Sequence, residues 1–410
     1  MTLERGNGKF DSPLSVLRGG NSGGNPMKKA NRKILIDIAA LAVVLAIGVV
    51  LYFAANSHSE EASGNGTMEY ARAVVNMILT DSCEQDPVSE DHYRGAQKLI
   101  VDIVSGQYKG TQMMAENTAG PLYGQPFAEG DAVIVGISTY SDGTTGCYVY
   151  EYNRIPWIIA IIALFLLVTV LVGGKVGAKS IVSLVLTVAA LIWILLPLLL
   201  KGAPTIPTTF AVAVLITLAT FIIIGGVNKK TVCACLGTLA GIALATVFGM
   251  FAQSVLRIDG YRQEYAEALL QLRQTGESGI GISGLIVAGV IISALGAVMD
   301  VAMSISSALN EVDRVGQNLS TRELFKSGLS IGRDMVGTMT NTLILAILGS
   351  GLTLIVYIYS LGLQPNQLLS SAYISLELIS AVASSIGVVL AVPFTALISA
   401  IALGKRGNKE

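Results

Sequence analysis

The chain has 410 residues, of which 52 % are hydrophobic and only 13 % are charged, about half of the roughly 25 % found in a soluble domain. So few charges cannot cover the surface of a soluble protein of this length, which excludes the soluble globular class. A net charge of −1 and the lack of a basic recognition motif exclude a nucleic-acid-binding protein, and the apolar content excludes intrinsic disorder. An integral membrane protein remains.

Apolar stretches along the chain predict membrane-spanning helices, because a hydrocarbon core about 30 Å thick needs about 20 apolar residues per crossing. The sequence predicts eight of them, at 34–54, 156–174, 180–200, 207–226, 231–253, 282–305, 335–358 and 370–402. The last stretch is long for one crossing and contains Pro393, so we expect it to be tilted or kinked. The expected fold class is a polytopic α-helical membrane protein in which residues 156–402 form a seven-helix bundle.

Lysine and arginine indicate the orientation, because cytoplasmic loops carry an excess of both. Residues 1–33 hold seven of them in a Gly/Asn-rich tail that we expect to be disordered and cytoplasmic. The apolar stretch 34–54 is longer than the core of a cleaved signal peptide, which favours an uncleaved signal-anchor helix. With eight spans, the basic tail 403–410 is expected to be cytoplasmic as well.

Residues 55–155 differ in kind from the rest of the chain and hold fourteen acidic residues against five basic ones. The predicted orientation makes this acidic segment extracytoplasmic. Runs rich in Val, Ile, Tyr and Thr predict five β-strands, at 71–79, 98–106, 108–116, 131–139 and 147–153. Short strands separated by turn residues predict a small all-β domain, a barrel or a sandwich, with an OB-like barrel as one form.

Two of the four cysteines, Cys83 and Cys147, lie in this domain, one after the first predicted strand and one at the start of the last. A disulfide between them would close a loop of about 65 residues and contribute up to about 4 kcal/mol, whereas two free thiols are the alternative. Cys233 and Cys235 lie in the fifth predicted span, where an i, i+2 spacing puts them on different helix faces. We therefore expect those two to be core residues rather than metal ligands.

The sequence lacks the motifs of the common enzyme classes. His58 and His92 are the only histidines and have no zinc-type spacing partner, which excludes H-E-x-x-H chemistry and a Ser-His dyad inside the membrane. No Walker A motif is present, and GIGIS (280–284) is not preceded by the strand that a dinucleotide loop requires. We expect no enzyme, no catalytic residues and no cofactor, and the residues leave the question of a metal open.

Polar residues recur at helical spacing in the last three predicted spans, unlike in spans two to five. In the sixth span they share one face with small residues, which let neighbouring helices approach closely. Six of these polar residues are candidates for an ion or transport path: Asp300, Ser304, Asp334, Thr338, Asn341 and Glu377.

An ionised carboxylate in lipid costs at least about 2.5–3.5 kcal/mol, so each of these acids should face protein or water. We expect Asp300 and Asn341 at similar depth in the cytoplasmic half and Glu377 nearer the outer side, at two levels of one polar path. The alternative is structural, with a neutral acid hydrogen-bonded between helices. For Asp334, an interfacial ion pair with Arg333 is the favoured interpretation.

Two segments resemble the YibE/F-like family of bacterial multi-pass membrane proteins: GLIVAGVIISALGAVMDVAMSISSALNEV (284–312) and GRDMVGTMTNTLILAILGSGL (332–352). The order of an anchor span, a small β domain and a helix bundle also resembles that family, over about residues 70–400. The resemblance implies a polytopic plasma-membrane protein whose partners are the lipid bilayer and a second family member or a second copy of the chain. It directs attention to Asp300, Arg333, Asp334 and Asn341.

Two functions are compatible with these features. The leading hypothesis is a secondary transporter or exporter of a small solute or cation, with Asp300 as the protonation or cation site, Thr338 and Asn341 assisting it, and Glu377 serving the outer half of the path. The other is a non-transporting receptor or assembly factor that acts through the acidic extracytoplasmic domain.

Overall fold

A computed structural model describes residues 38–39, 41–53, 67–89, 92–140, 143–261, 265–276, 278–316 and 319–404. The predicted tail at 1–33 and most of the tail at 403–410 lie outside these residues. The chain divides into two compact units, residues 58–178 and residues 1–57 together with 179–410. Each is described by itself.

The first unit contains a five-stranded barrel, which confirms the predicted all-β domain. The described strands are β1 (Thr67–Asp81), β2 (Glu84–Gln85), β3 (Tyr93–Ile103), β4 (Gln112–Ala119), β5 (Ala132–Thr139) and β6 (Thr145–Tyr152). The barrel has the order β1-β5-β6-β4-β3 and closes through a β1–β3 pairing, while the two-residue β2 adds to β3. All pairings are antiparallel except that of β4 with β6, which is parallel and limited to Glu116 opposite Tyr148.

The long strand β1 closes the barrel because it pairs with a different neighbour in each half. Its first half pairs with β5 and its second half with β3, and two register shifts lie between Val75 and Thr80. Bulges of this kind bend a strand and increase its twist, as closure requires. The alternating inward side chains, among them Val75, Leu99 and Val135, form the buried core.

The third predicted strand, 108–116, is displaced towards the C-terminus, since β4 begins at Gln112. Residues 107–110 instead form a turn, in which Gly110 has a positive φ of 87° and donates its backbone N–H to the Ile103 carbonyl at 2.8 Å. Glycine adopts this left-handed conformation without strain, so the sequence YKG (108–110) belongs to the turn between β3 and β4 rather than to a strand.

A buried amide network joins strands and loops inside the barrel. Gln97 is 1 % exposed, and its Nε2 donates to Asp81 Oδ2 at 2.9 Å and to the Phe127 carbonyl at 3.1 Å. Its Oε1 accepts from Asn117 Nδ2 at 3.0 Å and from the Phe127 N–H at 2.8 Å. With both ends of the amide satisfied, Gln97 fixes the loop that precedes β5 against β3 and β4.

The described residues contain long apolar helices, as the sequence predicts. The helices are α1 (Leu41–Phe53), α2 (Ile155–Ala190), α3 (Leu196–Leu200), α4 (Thr205–Gly225), α5 (Lys229–Val255), α6 (Ala266–Gln274), α7 (Leu285–Val315), α8 (Thr321–Ser350), α9 (Leu352–Ser360), α10 (Pro365–Leu369) and α11 (Ala372–Leu403). Five helical segments in the described part of the chain are long and apolar enough to cross a membrane, and α8 with α9 makes a sixth if that bent pair is one span.

The predicted spans 156–174 and 180–200 lie within one helical segment, Ile155–Leu200, which α2 and α3 form with a π-helical turn between them. The expected loop at 175–179 is therefore wrong, because the chain turns at a single residue, Gly174, with a non-helical φ of 54°. Gly177 consequently lies against the Thr169 carbonyl, although eight residues of straight helix would separate them by about 12 Å.

The seventh predicted span, 335–358, corresponds to the second half of α8 and to α9, which are bent by 62° at Gly351. Ser320 and Glu323 form the capping box that the sequence indicates, with the Ser320 N–H donating to Glu323 Oε2 at 2.8 Å. This box starts α8 itself, so residues 321–334 are the first part of that long helix and not a separate short helix. The last span is one continuous helix, α11, with Pro393 inside it.

Helices α5, α7 and α11 form the centre of the second unit, and glycines allow their close approach. A Cβ on Gly241 of α5 would lie 2.8 Å from the Ala391 Cβ of α11, 2.8 Å from Val298 Cγ1 of α7 and 3.0 Å from the Gly387 carbonyl oxygen. Small residues at such crossings bring helix backbones together, and van der Waals contact then holds them. Gly241 is therefore the position at which the three helices meet.

We expect Gly241→Ala to lower the stability by about 1–3 kcal/mol, because its methyl group would overlap two side chains and a backbone oxygen. Gly289→Ala on α7 is the matched control, since a Cβ there meets no atom within 4 Å. Thermal unfolding in detergent should show a lower midpoint for the first variant and an unchanged or higher midpoint for the second. Equal midpoints would contradict the close-packing interpretation.

The barrel should lose stability in mild acid. The Cys83 backbone N–H, which donates to Asp81 Oδ1 at 2.8 Å, and the Gln97 amide lower the pKa of Asp81. Because the folded pKa is depressed, this contribution is present above the ordinary pKa of about 3.9 and is lost as the pH falls through the lower folded value. The midpoint temperature of thermal unfolding should fall as the pH is lowered from about 5 to about 3, and it should fall less in Asp81→Asn. An equal decrease in the wild type and in Asp81→Asn would contradict the role of Asp81.

Candidate functional site

A cavity of about 680 Å³ lies beside the break between α8 and α9 and is closed on its other side by α11. Glu377 of α11 is the carboxylate in its lining, and we call it the Glu377 cavity. Hydroxyl-bearing and apolar side chains share the remaining lining: Ser350, Gly351, Thr353, Leu354, Tyr357, Tyr373, Leu376 and Ser380. Its volume falls in the range of small-ligand pockets, about 300–1,000 Å³.

The helix break places the end of α8 and the start of α9 beside this cavity. Helix α8 ends at Ser350, whose hydroxyl donates to the Ile347 carbonyl at 2.8 Å, and the Gly351 N–H donates to the same carbonyl at 3.0 Å. The last carbonyls of α8 carry partial negative charge and the first N–H groups of α9 carry partial positive charge, so the net charge of the lining is that of Glu377. Among the described residues no ion pair includes Glu377, so its charge is available to a ligand.

Asp300 and Ser304 are exposed on α7, away from its buried apolar side. On the same face a Cβ at Gly289 or Gly296 would meet no atom within 4 Å. Ser293 lies at the edge of this face and shares a 2.6 Å hydrogen bond with Ser384 of α11. The predicted small and polar face of α7 therefore exists, but it points away from the contact with α5.

Asp334, Thr338 and Asn341 are likewise exposed on α8. The Thr338 hydroxyl donates to the Met335 carbonyl of its own helix at 3.1 Å. Ion pairs within the described part of the chain do not include one between Arg333 and Asp334. The lining of the Glu377 cavity includes none of these α8 residues and does not include Asp300, so the six predicted site residues do not share that cavity.

The spacing of polar residues does not indicate four residues that shape the Glu377 cavity, namely Ser350, Gly351, Thr353 and Tyr357. The run Gly349-Ser350-Gly351 inside an apolar stretch was a usable signal, since Gly/Ser pairs are a common cause of sharp helix kinks. Tyr373 and Glu377, by contrast, lie on the polar face that the spacing in the last span indicates.

Cys83 and Cys147 are free, which is the second of the two alternatives that the sequence leaves open. The register explains the separation: Cys147 pairs with Ile137, Ile137 pairs with Glu69 near the start of β1, and Cys83 lies beyond the end of β1. At the end of β1 near Cys83, Asp81 pairs with Gln97 of β3, and β1 has no pairing with β6, so no strand pair places the two cysteines opposite each other. Cys233 and Cys235 are buried, as expected of core residues.

No group of three or more His, Cys, Asp or Glu side chains that could hold a metal ion occurs within the described ranges. The Glu377 cavity offers one carboxylate with hydroxyl and carbonyl oxygens around it. Such a set of oxygen donors suits a weakly held, hard cation or a protonated amine rather than a tightly bound transition metal.

A model of one protein family, described as YibE/F-like protein, matches residues 161–405. The match covers α3 to α11 and most of α2, including the Glu377 cavity and the polar face of α7. No curated protein and no solved structure matches the chain.

Thiol counting tests the cysteine assignment. The chain has four cysteines, and alkylation after denaturation without reductant should add four groups, against two if Cys83 and Cys147 were bridged. The double variant Cys83→Ser, Cys147→Ser should stay within about 0.5 kcal/mol of wild type, because no cross-link is lost. Two adducts, or a loss of several kcal/mol, would restore the disulfide.

Proposed function

The chain belongs to the YibE/F-like family, and from its geometry we propose that it is a secondary transporter of a small cation or cationic solute that binds at Glu377. The observation that carries the proposal is the Glu377 cavity, in which a carboxylate faces a helix break. Interrupted helices whose ends line a cavity are a recurring way in which transporters bind ions within the membrane.

The charge distribution supports a cationic substrate. Glu377 is the charged side chain of the lining, and no lysine, arginine or histidine lines the cavity. An anionic substrate would meet repulsion here, and a neutral one would leave the carboxylate without a counter-charge. Tyr357, Tyr373 and Ser380 supply hydroxyl oxygens and aromatic faces, both of which bind cations.

Asp300, Thr338 and Asn341 form the second level of the proposed path, in the cytoplasmic half. Proton exchange at Asp300 would couple the movement of substrate to an ion gradient. This role is compatible with the exposed polar face of α7, because a carboxylate in a membrane helix needs water or another protein group beside it. A second family member or a second copy of the chain would supply such a cover.

The proposed topology has eight spans in the plasma membrane, with both termini in the cytoplasm and residues 55–155 outside. It is supported by the excess of basic residues at 1–33, just after the kink at Gly174, and around the connection between α7 and α8. The segment Ile155–Leu200 would supply two crossings, since its 46 residues measure about 69 Å as a helix, about twice the hydrocarbon thickness. We propose no enzymatic activity.

Transport by the full-length protein in proteoliposomes tests this function. An influx panel of Na⁺, K⁺, Mg²⁺, Mn²⁺ and ethylammonium, each with and without a pH gradient, should reveal at least one transported cation. Glu377→Gln should lower that flux about tenfold or more, because one charge-assisted contact is worth about 1.5–3 kcal/mol. Glu267→Gln on α6 is the matched control and should leave the flux unchanged.

Asp300→Asn separates coupling from binding. It should abolish the response to the pH gradient while the protein still inserts and still binds the cation through Glu377. A fully coupled Asp300→Asn protein would remove Asp300 from the mechanism. No flux for any cation in the panel, or flux that Glu377→Gln leaves unchanged, would overturn the cation-transporter proposal.

The second candidate function is a non-transporting receptor or assembly factor that acts through the barrel domain. The exposed tyrosines of this domain, Tyr123 and Tyr150, favour it. Deleting residues 57–153 distinguishes the two. A transporter core should retain flux without these residues, whereas a receptor should lose its whole activity.

A further inference from the structure

The barrel has an opening between β4 and β6, where these parallel strands share a single residue pair, Glu116 with Tyr148. A cavity of about 350 Å³ lies beside this pair, and we call it the β4–β6 cleft. We propose that the β4–β6 cleft binds a neutral oligosaccharide. This inference is independent of the transport function.

Tyrosine rings form the walls of the cleft. Tyr123 and Tyr150 are 65 % and 60 % exposed, and Tyr148 and the buried Phe127 also belong to the lining. A second cavity of about 250 Å³ adjoins the first and shares Tyr123, Gly124 and Glu151 with it. Two adjoining cavities suit a chain of at least two units rather than a single small molecule.

The tyrosines are held in place by the strand register. Tyr70, Gly136 and Tyr148 lie side by side on β1, β5 and β6, and a Cβ on Gly136 would overlap the Tyr148 ring. The Tyr148 hydroxyl reaches the Tyr70 hydroxyl at 3.3 Å, and the Tyr70 and Tyr150 rings meet edge to face with centroids 5.0 Å apart. Tyr148 and Tyr150 are therefore held in fixed orientations before a ligand binds, which lowers the entropic cost of binding.

Each carboxylate at the cleft already has a counter-charge. Glu116 lies 3.7 Å from Lys98, and Glu151 lies 3.1 Å from Arg154. The site consequently presents acceptors and donors of hydrogen bonds without a net charge to neutralise. A carboxylate accepts hydrogen bonds at both oxygens, which suits the adjacent hydroxyl groups of a sugar.

The alternatives fit less well. A nucleic acid also stacks on aromatic rings, but it needs unpaired cations for its phosphates, and Lys98 and Arg154 are already paired in this acidic domain. A basic peptide would have to displace those same two pairs. Five-stranded barrels of the OB type include proteins that bind oligosaccharides, so the architecture permits this ligand class.

The test uses the full-length protein in detergent and three neutral tetrasaccharides, namely those of β-1,4-linked N-acetylglucosamine, β-1,4-linked glucose and α-1,4-linked glucose. At least one should bind, as measured by saturation-transfer NMR and by calorimetry, with a dissociation constant below about 10 mM. Tyr123→Ala and Tyr150→Ala should each weaken that binding about fivefold to tenfold, because each removes one stacking surface.

Tyr140→Ala is the matched control, since Tyr140 is 59 % exposed but is not in the lining of either cavity. It should bind as wild type does. No binding of any tetrasaccharide, or equal binding by all three variants, would overturn the proposal. Binding of oligolysine or single-stranded DNA in preference to the sugars would overturn it as well.

Discussion

The close approach of α5 to α11 is the constraint on which the helical unit depends. Gly241 leaves room for Ala391 and for the Gly387 carbonyl, and α7 packs into the same crossing through Val298. Because α7 must turn its apolar side to this crossing, its opposite side, with Asp300, is necessarily directed outwards. The outward position of Asp300 thus follows from the crossing of α5, α7 and α11 at Gly241.

In the barrel, too, the packing of the interior determines where the surface is open. Gln97 fills the interior with an amide whose hydrogen bonds reach β1, β4 and the loop at Phe127, so these parts hold one another in place. Closure of five strands leaves one weak junction, between β4 and β6, since that pair runs in parallel and meets at one position. The opening between those strands is where aromatic side chains gather.

The two candidate ligand sites differ in whether their carboxylates are paired with positively charged side chains. At the Glu377 cavity the carboxylate has no positively charged side chain in the lining, which favours a cation. At the β4–β6 cleft, Lys98 and Arg154 neutralise both carboxylates, which favours a neutral ligand rich in hydroxyl groups. One chain therefore offers two recognition chemistries, each in its own unit.

The sequence by itself determined the membrane class, the five-stranded domain, the long helices and the polar faces of the last spans, because composition and periodicity are local properties that burial in lipid or in a barrel imposes directly. It also indicated the family through the segments around Asp300 and Asn341. Only the tertiary structure decided that Cys83 and Cys147 lie on segments that do not pair with each other, that α8 breaks at Gly351, and that Glu377 lines a cavity without Asp300. These outcomes depend on strand register and on which helices cross, and those are set by contacts between residues far apart in the chain, which no local pattern encodes.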